Sequence, residues 1–178
     1  MKNILTLSLL ISIAIPVFCQ TMPVDKATGL YTYTGVVKAD SSSAKDIYYA
    51  LQLWALNAYD TGNIVAQVGN AEKSIIVFKP SLELYEHNIS IGHVFYTLTV
   101  ECKDGKYKYT FTNFTRQYGN CDSGPFENET YRCGTPAKKE IEKIWAYTRQ
   151  QTNNNIAALI ADMKQSVAKT LHGKKSDW

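Results

Sequence analysis

The chain has 178 residues, of which 45% are hydrophobic and 12% aromatic, enough to bury the core of one domain. Its 19 Lys and Arg against 16 Asp and Glu give a formal net charge of +3. So small and dispersed an excess excludes the clustered basic face that is typical of nucleic-acid-binding proteins.

The N-terminal segment predicts export. Lys2 supplies a positive charge, and residues 4–18 form a mostly apolar stretch of signal-peptide length, too short for a membrane span. We predict a signal peptide over residues 1–19 and a periplasmic or secreted mature chain without a transmembrane helix. A lipoprotein attached through Cys19 is less favoured, because Phe18 stands where lipoprotein signals carry Gly, Ala or Ser.

The first predicted elements of the mature chain are an extended lead-in, a strand and a helix. The lead-in covers residues 20–29, and Leu30–Ala39 alternates Tyr, Thr and Val as a strand does. Ser43 and Asp46 then form a capping-box pattern that starts the helix. Apolar residues follow at helical spacing: Ile47, Leu51, Trp54 and Ala58.

A hairpin is predicted next. Its strands are residues 63–68 and 74–80, and turn-forming residues 69–73 join them. Residues 81–91 are polar, and we predict an irregular segment there.

Residues 96–114, YTLTVECKDGKYKYTFTNF, predict a second and longer hairpin. Asp104-Gly105 favours a two-residue type I′ turn, which pairs Thr99 with Thr110. One face of this ribbon carries the large hydrophobic residues and is expected to lie under the helices. The opposite, open face is expected to meet solvent, and it carries our candidate binding residues: Phe95, Thr97, Thr99, Thr110, Thr112 and Phe114.

The last predicted element is a long helix. Thr135 is a suitable N-cap and Pro136 a suitable first residue. Asn153–Asn155 interrupt the apolar seam and predict a bend, and residues 173–178 predict a flexible tail. The seam comprises Ile141, Ile144, Trp145, Thr148, Ile156, Leu159, Ile160, Met163 and Val167.

The element order is therefore β-α-β-β-β-β-α. Neighbouring strands joined by short turns predict an α+β fold of two layers, in which two helices pack on one face of an antiparallel sheet of about five strands. Because the chain has no repeat and no low-complexity linker, residues 30–172 are predicted to form a single domain.

Three cysteines remain in the mature chain, where export favours oxidation of thiols. Cys102 adjoins the predicted turn, whereas Cys121 follows the far end of the next strand, roughly 30 Å away at about 3.3 Å per residue. This geometry favours a Cys121–Cys133 disulfide, with Cys102 as a small core residue. Three unpaired buried thiols are the alternative. No His lies at ligand spacing from the pair, so no metal site is predicted.

Catalytic motifs are absent from the sequence: it contains no GxSxG, HExxH, CxxC or Gly-rich phosphate loop. His87, with Glu83 and Glu86, and His93 are candidates for acid–base chemistry. Solvated loop and strand positions are the preferred interpretation of all four. We therefore predict no enzymatic activity and no cofactor.

The YTLTVECKDGKYKYTFTNF ribbon, with the lead-in VDKATGLYTYTGVV and the KEIEKIW helix, resembles an uncharacterised family of exported Bacteroides-type bacterial proteins. This family is domain of unknown function 4468, with a fold like the TATA-box-binding protein (TBP-like). The resemblance extends over residues 23–167. It implies a curved antiparallel sheet with two helices on its convex side, and it implies no known activity.

These observations favour a non-catalytic binding or interaction module of the cell envelope, which uses the open sheet face to hold an unknown envelope protein or small ligand. Sharing a fold with a DNA-binding protein is only analogy. Nucleic acid is not expected as a partner, because the chain carries a predicted export signal, its net charge is small, and Thr lines the open face in place of Arg, Lys and intercalating aromatic residues. A structural protein that forms a homodimer is the alternative. An envelope hydrolase, or an accessory to one, is the least favoured hypothesis.

Overall fold

The computed structural model describes residues 21–59, 64–70, 74–129, 131 and 134–173. The predicted signal peptide and Cys133 lie outside these residues. The described residues form six strands, two α-helices and one short 3₁₀ helix. In chain order they are β1 (Tyr33–Lys38), α1 (Ala44–Ala58), β2 (Ile64–Asn70), β3 (Ile75–Glu86), β4 (Ile89–Lys103), β5 (Lys106–Tyr118), β6 (Cys121–Pro125), the 3₁₀ helix (Phe126–Asn128) and α2 (Lys138–Gly173).

The strands form one antiparallel sheet, which has six members within the described residues. Its order is β1-β5-β4-β3-β2, and β6 also pairs with β5. β1 and β6 share the same edge of β5, since β1 pairs with residues 106–111 and β6 with residues 115–118. Both helices pack against the same side of this sheet, so the predicted two-layer α+β fold is confirmed.

The core lies between the helices and the sheet. Along β4 every second residue from Val94 to Cys102 is buried, while the residues between them are half-buried on the other face. Cys102 is a free thiol, and burial raises its pKa to about 12. It therefore acts as a small core residue, as predicted, and not as a reactive thiol.

The start of α1 confirms the predicted capping box. Ser43 Oγ accepts a hydrogen bond from Asp46 N (3.1 Å) and donates one to the Asp46 carboxylate (2.7 Å). A second cap comes from the β4–β5 turn, because Asp104 Oδ1 accepts from Ala44 N at 2.8 Å. The tip of the hairpin is thus fastened to the N-terminus of the helix.

This contact explains why the predicted type I′ turn at Asp104-Gly105 is wrong. A type I′ turn needs positive φ at both central residues. Gly105 has a φ of 74°, but Asp104 is not among the residues with positive φ. The type I′ pattern occurs instead at the β3–β4 turn, where His87 and Asn88 have φ values of 48° and 64°.

Gly105→Val is expected to lower the free energy of unfolding by about 1–2 kcal/mol, because a β-branched residue is strained at this φ. A Cβ at Gly105 would meet no heavy atom within 4 Å, so the cost is conformational. Gly105→Asn is the control, since Asn tolerates positive φ and should cost less. Equal melting temperatures for the Val variant and the wild type would contradict the prediction.

The lead-in is a turn and not the predicted extended segment. Asp25 Oδ1 accepts hydrogen bonds from the backbone N–H groups of Thr28 and Ala27, which lower the pKa of this carboxyl. Val24 then pairs with Tyr31 as an isolated bridge. The first regular strand consequently begins at Tyr33, three residues later than predicted.

Residues 81–91 are not irregular, because β3 and β4 both continue through most of them. Among the described residues, β2 pairs with β3 only as far as Pro80, which leaves the end of β3 as an edge. There the Gln151 side chain of α2 accepts from Tyr85 N (3.3 Å) and donates to Tyr85 O (2.6 Å). The Gln151 amide thus makes the hydrogen bonds to the backbone that a neighbouring strand would make. No sequence pattern near Tyr85 predicts this contact.

The final helix, α2, begins at Lys138 and not at Pro136. Glu140 Oε2 accepts from Ala137 N at 3.2 Å and caps the first turn. The helix continues without interruption through Asn153–Asn155, where a bend was predicted. Asn153 is buried in the seam, and its side-chain oxygen accepts a hydrogen bond from the Tyr33 hydroxyl at 2.7 Å.

Candidate functional site

Five of the six candidate residues lie on the sheet face that points away from the helices. Phe95, Thr97 and Thr99 alternate along β4 with fully buried residues and are themselves half-buried. Across the ribbon Thr97 pairs with Thr112 and Thr99 with Thr110. Within the described part of the chain, no helix covers this strip.

The sixth residue, Phe114, corrects the prediction, because it is fully buried on the helix side. Its ring contacts those of Tyr33, Tyr96 and Phe126, with centroids 5.8–6.0 Å apart. The reason is a bulge: Asn113 has a φ of 57°, and the register shifts. An extra residue reverses the alternation of every side chain beyond it.

The same reversal turns Arg116 inwards. In the predicted register Arg116 would lie on the open face, but only 4% of its surface is exposed. Its Nη1 donates to Ser123 Oγ of β6 at 3.3 Å, and its Nη2 donates to the backbone oxygen of Ile91 at 3.1 Å. Its Nε is buried and has no hydrogen-bond partner among the described residues.

Arg116 borders a cavity of about 430 Å³ at the end of the helix layer. We call this cavity the Arg116 pocket. The ends of β3, β4 and β5, Tyr131 and the first turns of α2 enclose it, and its lining comprises Glu86, Ile91, Arg116, Tyr118, Tyr131, Lys143, Ile144, Tyr147 and Thr148.

The charge of Arg116 is not neutralised by any carboxylate of the described residues, since none of them forms an ion pair with it. Burial lowers the pKa of Arg116, and the nearby Tyr131 and Tyr118 hydroxyls oppose that shift. An arginine remains cationic despite such a shift. The Tyr118 ring, 5.8 Å from the guanidinium carbon, provides a cation–π contact. The pocket therefore contains a buried positive charge.

The helix side of the pocket contributes a second unsatisfied group. Thr148 is fully buried, and its hydroxyl has no partner among the described residues. Tyr147, one residue earlier, donates its hydroxyl to the backbone oxygen of Tyr85 at 2.9 Å and so joins α2 to the edge of β3. Buried polar groups normally have partners. Arg116 and Thr148 line the same cavity, and each has a buried polar atom without a partner among the described residues.

Of the histidine and carboxylate candidates, Glu86 lines the Arg116 pocket, whereas His93, Glu83 and His87 lie elsewhere. His93 pairs with Glu83 across β3 and β4 on the open face. Hydrogen bonds from Ser90 and then Tyr85 lower the pKa of the exposed Glu83, and the charge of His93 adds to them. His87 occupies the exposed β3–β4 turn. These groups therefore lie at the surface, outside the Arg116 pocket.

Two further features bear on function. Among the residues that the structure describes, no cluster of three or more His, Cys, Asp or Glu side chains could hold a metal ion. In the same part of the chain, no helix is both long and apolar enough to cross a membrane. The Cys121–Cys133 disulfide stays a prediction, because Cys133 is outside the described residues.

Comparisons with known proteins agree with this fold. Residues 33–117 match the family described as a domain of unknown function (DUF4468) with TBP-like fold. A TBP-like protein from Parabacteroides distasonis is 18% identical with a TM-score of 0.58, over 80% of this chain and 97% of that one. A DUF4468 family protein from Bacteroides ovatus is 14% identical with a TM-score of 0.56, over 79% and 90%. No curated protein matches.

Proposed function

We propose a non-catalytic binding function in the cell envelope for this chain, whose residues 33–117 match the DUF4468 family with TBP-like fold. Its ligand is a small molecule held in the Arg116 pocket. The envelope location rests on the apolar segment of residues 4–18, which lies outside the described residues.

The observation that carries this proposal is the buried guanidinium of Arg116 beside an open cavity, with its Nε unpaired. A buried polar group without a partner costs about 1–3 kcal/mol, and a charged group costs more. A bound ligand that accepts from Nε removes this cost. The cavity volume also falls within the range of about 300–1,000 Å³ that is usual for small-molecule sites.

The composition of the pocket favours binding over catalysis. Among the described residues, its lining includes three tyrosines and two isoleucines but neither His nor Cys. Nucleophilic catalysis usually needs a nucleophile with a base in contact. Apolar walls with a few polar groups are instead typical of recognition sites.

Ile144→Trp tests the proposal by filling the pocket. The purified mature protein is incubated with the small-molecule fraction of a bacterial envelope extract, and retained compounds are identified by mass spectrometry. We expect the wild type to retain a compound that the Ile144→Trp variant does not. Leu53→Trp is the control, because Leu53 is 49% exposed on α1 and does not line the pocket. Identical retention by the wild type and Ile144→Trp would contradict the proposal.

The open sheet face is a second candidate surface. Phe95 is half-buried there, next to His93 with ring centroids 6.4 Å apart, and Tyr85 donates its hydroxyl to Glu83 nearby. A protein partner or a second copy of the chain would contact these groups. A pull-down from envelope extract that loses a partner in Phe95→Ala supports this surface. A concentration-independent monomer in light scattering would argue against the homodimer.

A further inference from the structure

We infer that the ligand of the Arg116 pocket is a small monocarboxylate with an aromatic or branched apolar body. This inference rests on the proposed function and adds the chemical class of the ligand. Three properties of the pocket support this inference: the unpaired Nε of Arg116, the net charge of the lining side chains, and the apolar character of the lining.

The unpaired Nε of Arg116 favours a ligand with a planar anionic acceptor group. Ser123 and the Ile91 backbone oxygen each accept from one terminal nitrogen of Arg116. These two bonds use two of the five N–H groups of the guanidinium, and Nε has no partner among the described residues. A guanidinium binds a carboxylate through parallel N–H···O hydrogen bonds, which are stronger than bonds to a neutral acceptor. Thr148 lines the same cavity, and its buried hydroxyl, which has no partner among the described residues, is a further donor for a carboxylate oxygen.

The net charge of the lining side chains favours a ligand with a single negative charge. Among the described residues, the lining carries two cationic side chains, Arg116 and Lys143, and one carboxylate, Glu86, which give these three groups a net charge of +1. Lys143 and Glu86 are exposed, whereas Arg116 is buried. A monoanion neutralises the pocket. A dianion or polyphosphate would leave uncompensated negative charge beside Glu86.

The residues that line the cavity favour a ligand with an apolar body. The rings of Tyr118, Tyr131 and Tyr147 line the cavity together with Ile91 and Ile144. Such a surface offers dispersion contacts and stacking to an apolar body. The hydrogen bonds to Ser123 and Ile91 fix the orientation of the guanidinium beside these residues.

Calorimetric titration with matched ligand pairs tests the inference. The probes are phenylacetate and 4-methylpentanoate, each compared with its neutral amide, and succinate serves as the dianion. We expect at least one monocarboxylate to bind at least tenfold more tightly than its amide and than succinate. Equal affinity for acid and amide, or binding of neither monocarboxylate, would overturn the inference.

Protein variants place this binding in the pocket. Arg116→Gln should abolish it, and Ile144→Trp should weaken it at least tenfold. Should Arg116→Gln fail to fold, Thr148→Val provides the evidence, because it removes a hydroxyl without a protein partner, keeps the side-chain shape and should weaken carboxylate binding severalfold. Unchanged affinity in Thr148→Val and Ile144→Trp overturns the inference.

The two proposals fail in different ways. If the wild type retains a neutral compound that Ile144→Trp loses, while no monocarboxylate binds, the binding function stands and the ligand class is wrong. If Ile144→Trp changes neither the retained compounds nor the carboxylate affinity, both proposals are wrong.

Discussion

Replacing Trp145 with Ala is expected to lower the free energy of unfolding by about 3–5 kcal/mol, because this change leaves a large cavity in the core. Trp145 is fully buried on α2. Its ring meets Phe126 edge-on at 5.4 Å, and Phe126 in turn contacts Phe114 and Tyr31. The side chain thus joins the last helix to the 3₁₀ helix after β6. Chemical denaturation of wild type and variant measures the difference.

Trp145→Phe is the matched control. The Trp145 Nε1 has no hydrogen-bond partner among the described residues, so Phe keeps most of the ring contact and removes an unsatisfied donor. We expect this variant to lose less than about 1.5 kcal/mol. Similar losses for Ala and Phe, or a loss below about 1 kcal/mol for Ala, would show that the ring does not support the core.

Sequence patterns predicted those elements that are specified by residues close together in the chain. The Ser43 capping box and the apolar spacing of α1 both lie within a few residues, and both are confirmed. The alternation of β4 likewise predicted which residues face the helices, because a period of two follows from strand geometry alone.

The bulge at Asn113 could not be predicted from the alternation of side chains along the strand. An Asn in a strand pattern is compatible with either regular pairing or a left-handed residue, and only its φ of 57° decides between them. One such residue determines whether Phe114 and Arg116 face solvent or the core. The candidate pocket was therefore missed from the sequence, although the fold was predicted.

Long-range contacts account for the other differences. The Asp104 side chain accepts from Ala44 N, and the turn adopts a geometry other than type I′. Gln151 supplies hydrogen bonds to the edge of β3 from a residue 66 positions away. Neither partner can be identified from the sequence around the turn or the strand, because each comes from another element.

Gly92→Ala is the second substitution with a large expected effect, about 3–4 kcal/mol. Gly92 has a φ of 119°, which L-residues rarely adopt, and a Cβ there would lie 2.4 Å from the backbone oxygen of Gln117. The change would therefore strain this backbone and push β4 away from β5. Because Gly92 follows Ile91, whose oxygen accepts from Arg116, carboxylate affinity should also fall.

Gly119→Ala separates the two causes of the stability loss expected for Gly92→Ala, which are the positive φ and the close contact of the new Cβ with Gln117. Gly119 also has a positive φ, 54°, but a Cβ there would meet no heavy atom within 4 Å. This control should cost only about 1 kcal/mol, the ordinary penalty for a left-handed L-residue. The excess measured for Gly92→Ala by chemical denaturation then reports the close approach of the two strands beside the Arg116 pocket. Equal costs at the two glycines would mean that β4 and β5 can separate there without penalty, and the Arg116 guanidinium would then lack the rigid support that its preorganisation requires.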